Sequence, residues 1–257
     1  SRRRQRQMCI RDRINGVLVR KNFGSYYPIH IDISNYLNFE EQNVIAVRPD
    51  NSNDPLYPPG KDQEKLDFTY FGGIYRDVWL ITHNDVYVTH PLAVDKIAGG
   101  GVFVHCENLS EKSAEVFIDV DIANEGPSKK VSLELRLEDF KEKVVAKVKK
   151  TIPLDSKKSE KVSLKFEVKN PNLWTPDNPQ LYNLFVTVND EAGNTLDSFR
   201  KRVGVRTIEM KGEEGFFLNG KRYPEKLIGA NRHQDFAHIG HALPNNLHYR
   251  DALKLRQ

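Results

Sequence analysis

Three stretches of this chain alternate at a period of two. In AEVFIDVDI, Ala114, Val116, Ile118, Val120 and Ile122 share one face. Val131, Leu133, Leu135 and Leu137 do so in VSLELRLE, and Val162, Leu164, Phe166 and Val168 in KVSLKFEV. One apolar and one charged face at this period specify half-buried antiparallel strands. GVFVHCEN, VVAKVKKTI, LYNLFVTV and SFRKRVGV bring the count to about seven strands between His90 and Arg206. Seven short strands in roughly 100 residues, with turn signals such as ANEGPS and NDEAGN, predict an immunoglobulin-like sandwich. Val116, Ile118, Val120, Leu133, Leu135, Leu164 and Phe166 are expected in one core.

The flanks are less regular. Before residue 89, Ile29, Ile31 and Ile33 alternate, as do Val86 and Val88. Between them runs PDNSNDPLYPPGKDQEKLDFTYFGG, with Pro49, Pro55, Pro58 and Pro59. A loop of that length is functional or disordered, and Phe68, Tyr70 and Phe71 argue against disorder. After residue 215, GFFLNGKRY reads as a hairpin turning at Asn219-Gly220. EKLIGANRH reads as a short buried strand. PNNLHYRDALKLRQ reads as a helix that Asn245 or Asn246 can cap, with Tyr249, Ala252 and Leu253 on one face. A strand followed by a helix is the first unit of a β/α fold, and one unit cannot close a sheet.

Residues 1–13, SRRRQRQMCIRDR, show no period. QMCIRD resembles a translated transposase mosaic-end adaptor, so the segment is expected to be non-native and to pack against nothing. The alternative is a basic disordered tail. The segment carries a net +5 against +4 for the whole chain, leaving −1 for the rest. The remainder therefore offers no general electrostatic case for nucleic acid or an anionic membrane. No run of 18 apolar residues is present, so no helix is expected to span a membrane. Cys9 lies in the suspect tail and Cys106 is left alone, so no disulfide is expected between folded parts.

AVRPDNSNDPLYPPG, DFTYFGGIYRDVWL, NPNLWTPDNPQLY, VGVRTIEMKGEEGFFLNGK and GANRHQDF together resemble glycoside hydrolase family 2, most closely its β-galactosidases. The resemblance runs from Ile14 to Gln257. It implies a mostly β chain: the C-terminal part of a jelly-roll sugar-binding domain (14–88), an immunoglobulin-like β-sandwich (89–206) and the start of a TIM-barrel catalytic domain (207–257). It also implies hydrolysis of β-galactosides with retention, by two glutamates on later barrel strands. Neither glutamate maps onto residues 1–257, so the chain is expected to be a fragment that is inactive alone. β-Glucuronidase and β-mannosidase share the layout; LDFTYFGGIYRDVWL leans towards galactosidase. The rival of another class is a non-catalytic carbohydrate-binding or adhesion module, which would have no use for residues 215–257.

The resemblance also assigns site residues. His233, after the first barrel strand, is the expected hydrogen-bond partner of the sugar. Asn231 joins it as a substrate-binding candidate, although Asn231 and Arg232 also suit orienting the loop. Asp67 falls where β-galactosidases place an aspartate that contacts a sodium ion and a galactose hydroxyl, two tasks that suit a carboxylate. No cofactor is required in this reading; a sodium or magnesium ion belongs to the full-length enzyme. The partner is a β-galactoside or related carbohydrate, with homo-oligomerisation of the full-length parent left open.

Other constellations read as structural. His233, His238, His241 and His248 match no common zinc spacing. DNSND (50–54) has Pro55 where a calcium loop turns on glycine and Lys61 where it needs a glutamate. Arg76 and Asp77 are expected to pair or hydrogen-bond structurally at a strand start, Asp235 is a weaker site candidate, and Trp79 and Trp174 are expected to pack.

Overall fold

The computed structural model describes residues 9–24, 27–52, 54–58, 60–69, 71–94, 96–224 and 226–256. Two compact units divide the chain, Ser1–Leu80 with Gly229–Gln257, and Ile81–Ile228.

In the first unit β1 (Cys9–Ile14) lies between β2 (Val17–Phe23) and β3 (Ile45–Asp50), antiparallel to both. The β1–β2 turn is Asn15-Gly16, with φ of 49° and 83°, the left-handed pair that a two-residue hairpin requires. The Asn15 side chain then ties the turn down. Its Nδ2 donates to Tyr36 O and to Asn43 Oδ1, and its Oδ1 accepts from Val44 N.

This sheet corrects the expectation that nothing in residues 1–13 packs. Cys9–Arg13 pair on both edges. A ladder needs only main chain plus a face that tolerates burial, and here Asp12 and Ile14 go inward while Arg11 and Arg13 stay exposed. Residues 1–8 lie outside the described residues. The alternation at Ile29, Ile31 and Ile33 produces no strand; residues 28–33 run unpaired into a 3-10 turn at Ser34–Tyr36.

The second unit opens with β4 (Val86–Val88) and β5 (Val102–Glu107), followed by β6 (Ser113–Asn124), β7 (Lys129–Glu138) and β8 (Val144–Leu154). It continues with β9 (Lys158–Lys169), β10 (Tyr182–Asn189) and β11 (Thr195–Val203). One sheet runs β11-β10-β7-β8. In the other, β9 covers one edge of β6 along its whole length, and β4 and β5 follow one another along the opposite edge. All pairs are antiparallel. β5–β11 are the seven strands that the alternation predicts, and together with β4 they form an immunoglobulin-like sandwich. β4 therefore belongs to the sandwich rather than to the domain before it.

The core follows the period. Val116, Ile118, Val120 and Ile122 of β6 meet Leu133, Leu135 and Leu137 of β7 and Leu184, Val186 and Val188 of β10, all buried; Phe166 lies in the same cluster and Leu164 at its margin. Apolar burial on this scale stabilises by roughly 25 cal/mol per Å² removed from water.

A small sheet of β12 (Ile208–Met210), β13 (Phe216–Leu218) and β14 (Lys221–Arg222) completes this unit. Its hairpin turns at Asn219-Gly220 as predicted, with φ of 53° and 73°. Trp174 packs as expected: the Arg206 guanidinium lies 4.3 Å from its ring centroid, and a Cβ on Gly204 would stand 3.1 Å from its Cβ. Trp79 does not pack. It is 77% exposed in a run, Val78–Ile81, that pairs with no strand among the described residues.

The predicted strand at 225–233 is likewise absent among the described residues, and Ile228 is 91% exposed. A strand of a parallel sheet acquires its ladder from neighbours on both sides, and none flanks it here. The helix forms without that support: α1 (Asn245–Arg256) buries no side chain, and Tyr249, Leu253 and Leu255 are exposed.

Candidate active site

The Asn-Arg-His-Gln-Asp run lies in the first unit between Ala230 and Phe236, and two contacts hold it. Arg232 reaches back onto α1, its Nη2 standing 3.2 Å from His248 Nδ1 and 3.4 Å from Asp251 Oδ2. His248 and Asp251 lie three residues apart and so share one helix face, which makes α1 a two-point anchor. Gln234 Oε1 accepts a hydrogen bond from Arg76 Nη2 at 3.0 Å, across 158 positions of sequence. Arg76 thus makes the structural hydrogen bond expected of it, but to the loop, and it opens no strand with Asp77 among the described residues.

Between these two anchors the other members are left outward. The His233 side chain is 62% exposed, with Nδ1 3.9 Å from Asp235 Oδ1. Asn231 is exposed. The local logic is that the long polar side chains, Arg232 and Gln234, are consumed in fixing the loop, which leaves His233 free to offer a ring nitrogen to a hydroxyl.

Asp67 is exposed, on the segment that follows a 3-10 turn at Gln63–Lys65. No hydrogen bond or ion pair joins it to His233 or Asn231 among the described residues. A hard cation needs about six oxygen ligands. Asp67 gives one carboxylate, and no group of three His, Cys, Asp or Glu gathers among the described residues.

Beside His233 lies a feature that sequence reasoning missed. Phe71, Tyr75, Phe236 and His241 line a cleft of about 630 Å³, with Asp235 on its wall. The His241 ring meets Phe71 edge-on at 4.9 Å and Tyr75 at 5.7 Å. Phe236 and Gly240 close the loop by a pair of main-chain hydrogen bonds, each 3.0 Å. The aromatic cluster around Phe71 is visible in the sequence, but its partner at His241 is 170 positions away.

Comparison with known proteins places these elements. Residues 100–206 match the model for glycosyl hydrolases family 2. A β-glucuronidase of Formosa agariphila is 31% identical over 237 residues, covering 90% of this chain and 24% of its own length. A β-galactosidase of Thermoanaerobacter pseudethanolicus is 32% identical over 243 residues, covering 93% and 30%. Among solved structures, β-glucuronidase 2 of Bacteroides uniformis, bound covalently to cyclophellitol-6-carboxylate aziridine, superposes with a TM-score of 0.80 at 31% identity, over 97% of this chain and 29% of that one. A variant of the same protein is described as a calcium binding mutant. The chain thus spans roughly a quarter to a third of the length of the relatives it matches. Its similarity to them covers both units, its sandwich is the matched segment, and the chain belongs to glycoside hydrolase family 2.

Proposed function

We propose that this chain is part of a retaining β-glycoside hydrolase and supplies sugar-binding groups rather than the reacting carboxylates. The observation that carries this is the fixing of the 229–236 loop by Arg232 and Arg76, which leaves His233 and Asn231 both exposed. Both are polar and able to hydrogen-bond hydroxyls, which suits a polyol. Asp67 adds a carboxylate acceptor for a hydroxyl and one hard oxygen for a cation completed by groups outside these residues.

Residues 229–257 are the start of the catalytic barrel in this reading. Retention needs two carboxylates about 5–5.5 Å apart, one as acid/base and one as nucleophile. These are assigned to the parts of the relatives that the chain does not span. β-Galactosides are the first substrate class, from the 66–80 segment. β-Glucuronides are the second, because the Formosa and Bacteroides relatives are β-glucuronidases.

The test is a panel of chromogenic β-galactoside, β-glucuronide and β-mannoside on the longest reading frame containing this sequence, beside the 257-residue chain. Turnover by the long product, reduced by His233→Ala through KM and kcat together, is expected. Turnover by the short chain would refute the division of labour, and no turnover of any glycoside by the long product would refute the activity.

A further inference from the structure

The sandwich carries its charge unevenly, which a net charge near zero conceals. On the outer face of the β11-β10-β7-β8 sheet, the ladders set Arg200, Phe185, Arg136 and Lys147 in one row across four strands. The row on one side of it ends in Glu134 and Lys149, and the row on the other side runs from Arg202 to Glu138. Lys130 follows on β7, on the same face. The opposite sheet differs: on its outer face Glu107, Glu115 and Glu167 stand directly opposite one another across β5, β6 and β9.

Both carboxylates of the basic face are already taken. Glu134 Oε1 meets Lys147 Nζ at 2.9 Å, and Glu138 pairs with Arg136. Lys130, Lys149, Arg200 and Arg202 are left without an acidic partner among the described residues. The centre of the face is ordered. The Arg136 guanidinium lies 4.3 Å from the Phe185 ring centroid and that of Arg200 5.8 Å from it, contacts that hold a guanidinium in place. Arg200 Nε and Nη2 also both donate to Asn183 Oδ1, at 3.2 and 3.0 Å. A guanidinium has further N–H donors beyond these two, and here they are fixed in position for an oxyanion. Lysines on an edge strand also discourage pairing with other sheets, but that role needs no guanidinium seated on a ring in the middle of the sheet.

We propose that this face is a docking surface for an acidic oligosaccharide that carries uronic-acid carboxylates and is long enough to cross the strands. Guanidinium forks match carboxylates, and the Arg136–Glu138 pair shows one held on this face. The unpaired cations lie towards its two sides, on β11 and on β7 and β8. Strand spacing puts those sides roughly 14 Å apart, so a single sugar reaches only one of them. Single-stranded nucleic acid fits less well, since it needs open aromatic faces for its bases and the Phe185 ring is occupied by arginines. The surface is independent of the loop that carries His233.

The experiment is an amide NMR titration of the 257-residue chain in which Arg2, Arg3, Arg4 and Arg6 are replaced by Gln, so that the basic leader adds no competing charge. The probes are hexagalacturonate, monomeric galacturonate, neutral maltohexaose, sulfated maltohexaose and a short single-stranded DNA. Hexagalacturonate is expected to shift amides of β7, β10 and β11, with affinity falling about ten-fold between about 50 and about 200 mM salt. The monomer and maltohexaose should leave them unmoved. Arg202→Gln combined with Lys149→Gln should weaken binding about five-fold. Both side chains are exposed and unpaired, so the melting temperature should hold. Phe185→Leu keeps apolar bulk and removes the ring that seats Arg136, and should cost about three-fold. No shift of these amides by hexagalacturonate overturns the proposal, as does a shift that neither variant changes. Equal binding of maltohexaose overturns the electrostatic basis. Tighter binding of sulfated maltohexaose or of DNA at the same amides overturns the uronate assignment and gives the face to that polyanion instead.

Discussion

Lys96 Nζ stands 2.9 Å from Asp121 Oδ2, and the carboxylate it meets is only 6% exposed. Asp121 sits where β4 ends and β5 begins along β6. Its own main chain closes both ends of the intervening loop: Asp121 O accepts from Thr89 N and Asp121 N donates to Gly101 O, each at 2.9 Å. Thr89 Oγ1 accepts from Gly101 N at 3.0 Å. The loop thus closes on one residue, with Lys96 reaching the side chain and Asp121 Oδ1 left without a hydrogen-bond partner among the described residues.

Lys96→Met should therefore destabilise the sandwich. Breaking a buried ion pair leaves an uncompensated charge and costs about 3–5 kcal/mol when both partners are buried. Lys96 is nearly half exposed, so about 1–3 kcal/mol is expected. Urea unfolding measures it, and adding Asp121→Asn should restore most of the loss. A neutral single variant would mean that water already satisfies the carboxylate.

Ile118→Asp tests the strand register. Ile118 is fully buried on β6, between Val104 of β5 and Leu164 of β9. An unpaired carboxylate there should cost about 4 kcal/mol or more, enough to unfold the sandwich. A melting curve like that of the parent would show that β6 has its faces reversed.

Asn219 joins the hairpin to the sandwich. Its Oδ1 accepts from Thr207 N at 3.2 Å and its Nδ2 donates to Trp174 O at 3.1 Å, while its φ is 53°. Asn219→Ala should cost about 1–3 kcal/mol through lost bonds and a strained turn. Asn219→Gly keeps the turn and loses only the bonds, so it should cost less. Trp174 fluorescence during denaturation reports both, and equal losses would place the whole effect in the bonds.

The sandwich was legible because alternation states which side chains are buried, and in a two-sheet fold that nearly determines the strands. Asn219-Gly220 was legible because few residues accept two left-handed conformations in a row. Ile29–Ile33 and 225–233 misled because a period says nothing about whether a partner strand is present. Trp79 misled for the same reason: an aromatic in an apolar run packs only if something covers it. Of the candidate site, His233 and Asn231 were legible through a motif. Its fixings, Arg76 to Gln234 and Arg232 to α1, and the Phe71–His241 cleft were not, since they depend on segments that only folding brings together.

Deleting residues 1–13 should dismantle the first sheet, because β1 is the strand that β2 and β3 both pair with. Amide exchange in β2 and β3 should then approach that of an unfolded chain. Retained protection would mean that β2 and β3 find each other without β1 and that the tail is dispensable after all.

Asp12 gives the same sheet a pH dependence of unusual sign. Its side chain is carried inward on β1, the residue is 5% exposed, and Oδ2 has no hydrogen-bond partner among the described residues. Burial raises its pKa above the ordinary 3.8, with the Arg20 charge opposing. The folded form then binds the proton more tightly than the unfolded one. Stability is lost as pH rises from 3.8 through the raised value, and regained as pH falls. Asp50, in the same sheet, has its pKa lowered, chiefly by the Ser52 hydroxyl at 2.6 Å. Its stabilising effect is lost only below about 3.8, so above that pH the slope from this pair belongs to Asp12. Each pH unit by which Asp12 is raised corresponds to about 1.4 kcal/mol, reduced where solvent reaches the group. Asp12→Asn should therefore stabilise the sheet at pH 7 and flatten its profile, while Arg20→Gln should steepen it. Urea unfolding followed at β1 and β3 amides from pH 7 down to about pH 4 measures both, and a parent protein whose sheet weakens steadily over that range would show that Asp12 is solvated or paired in the folded state.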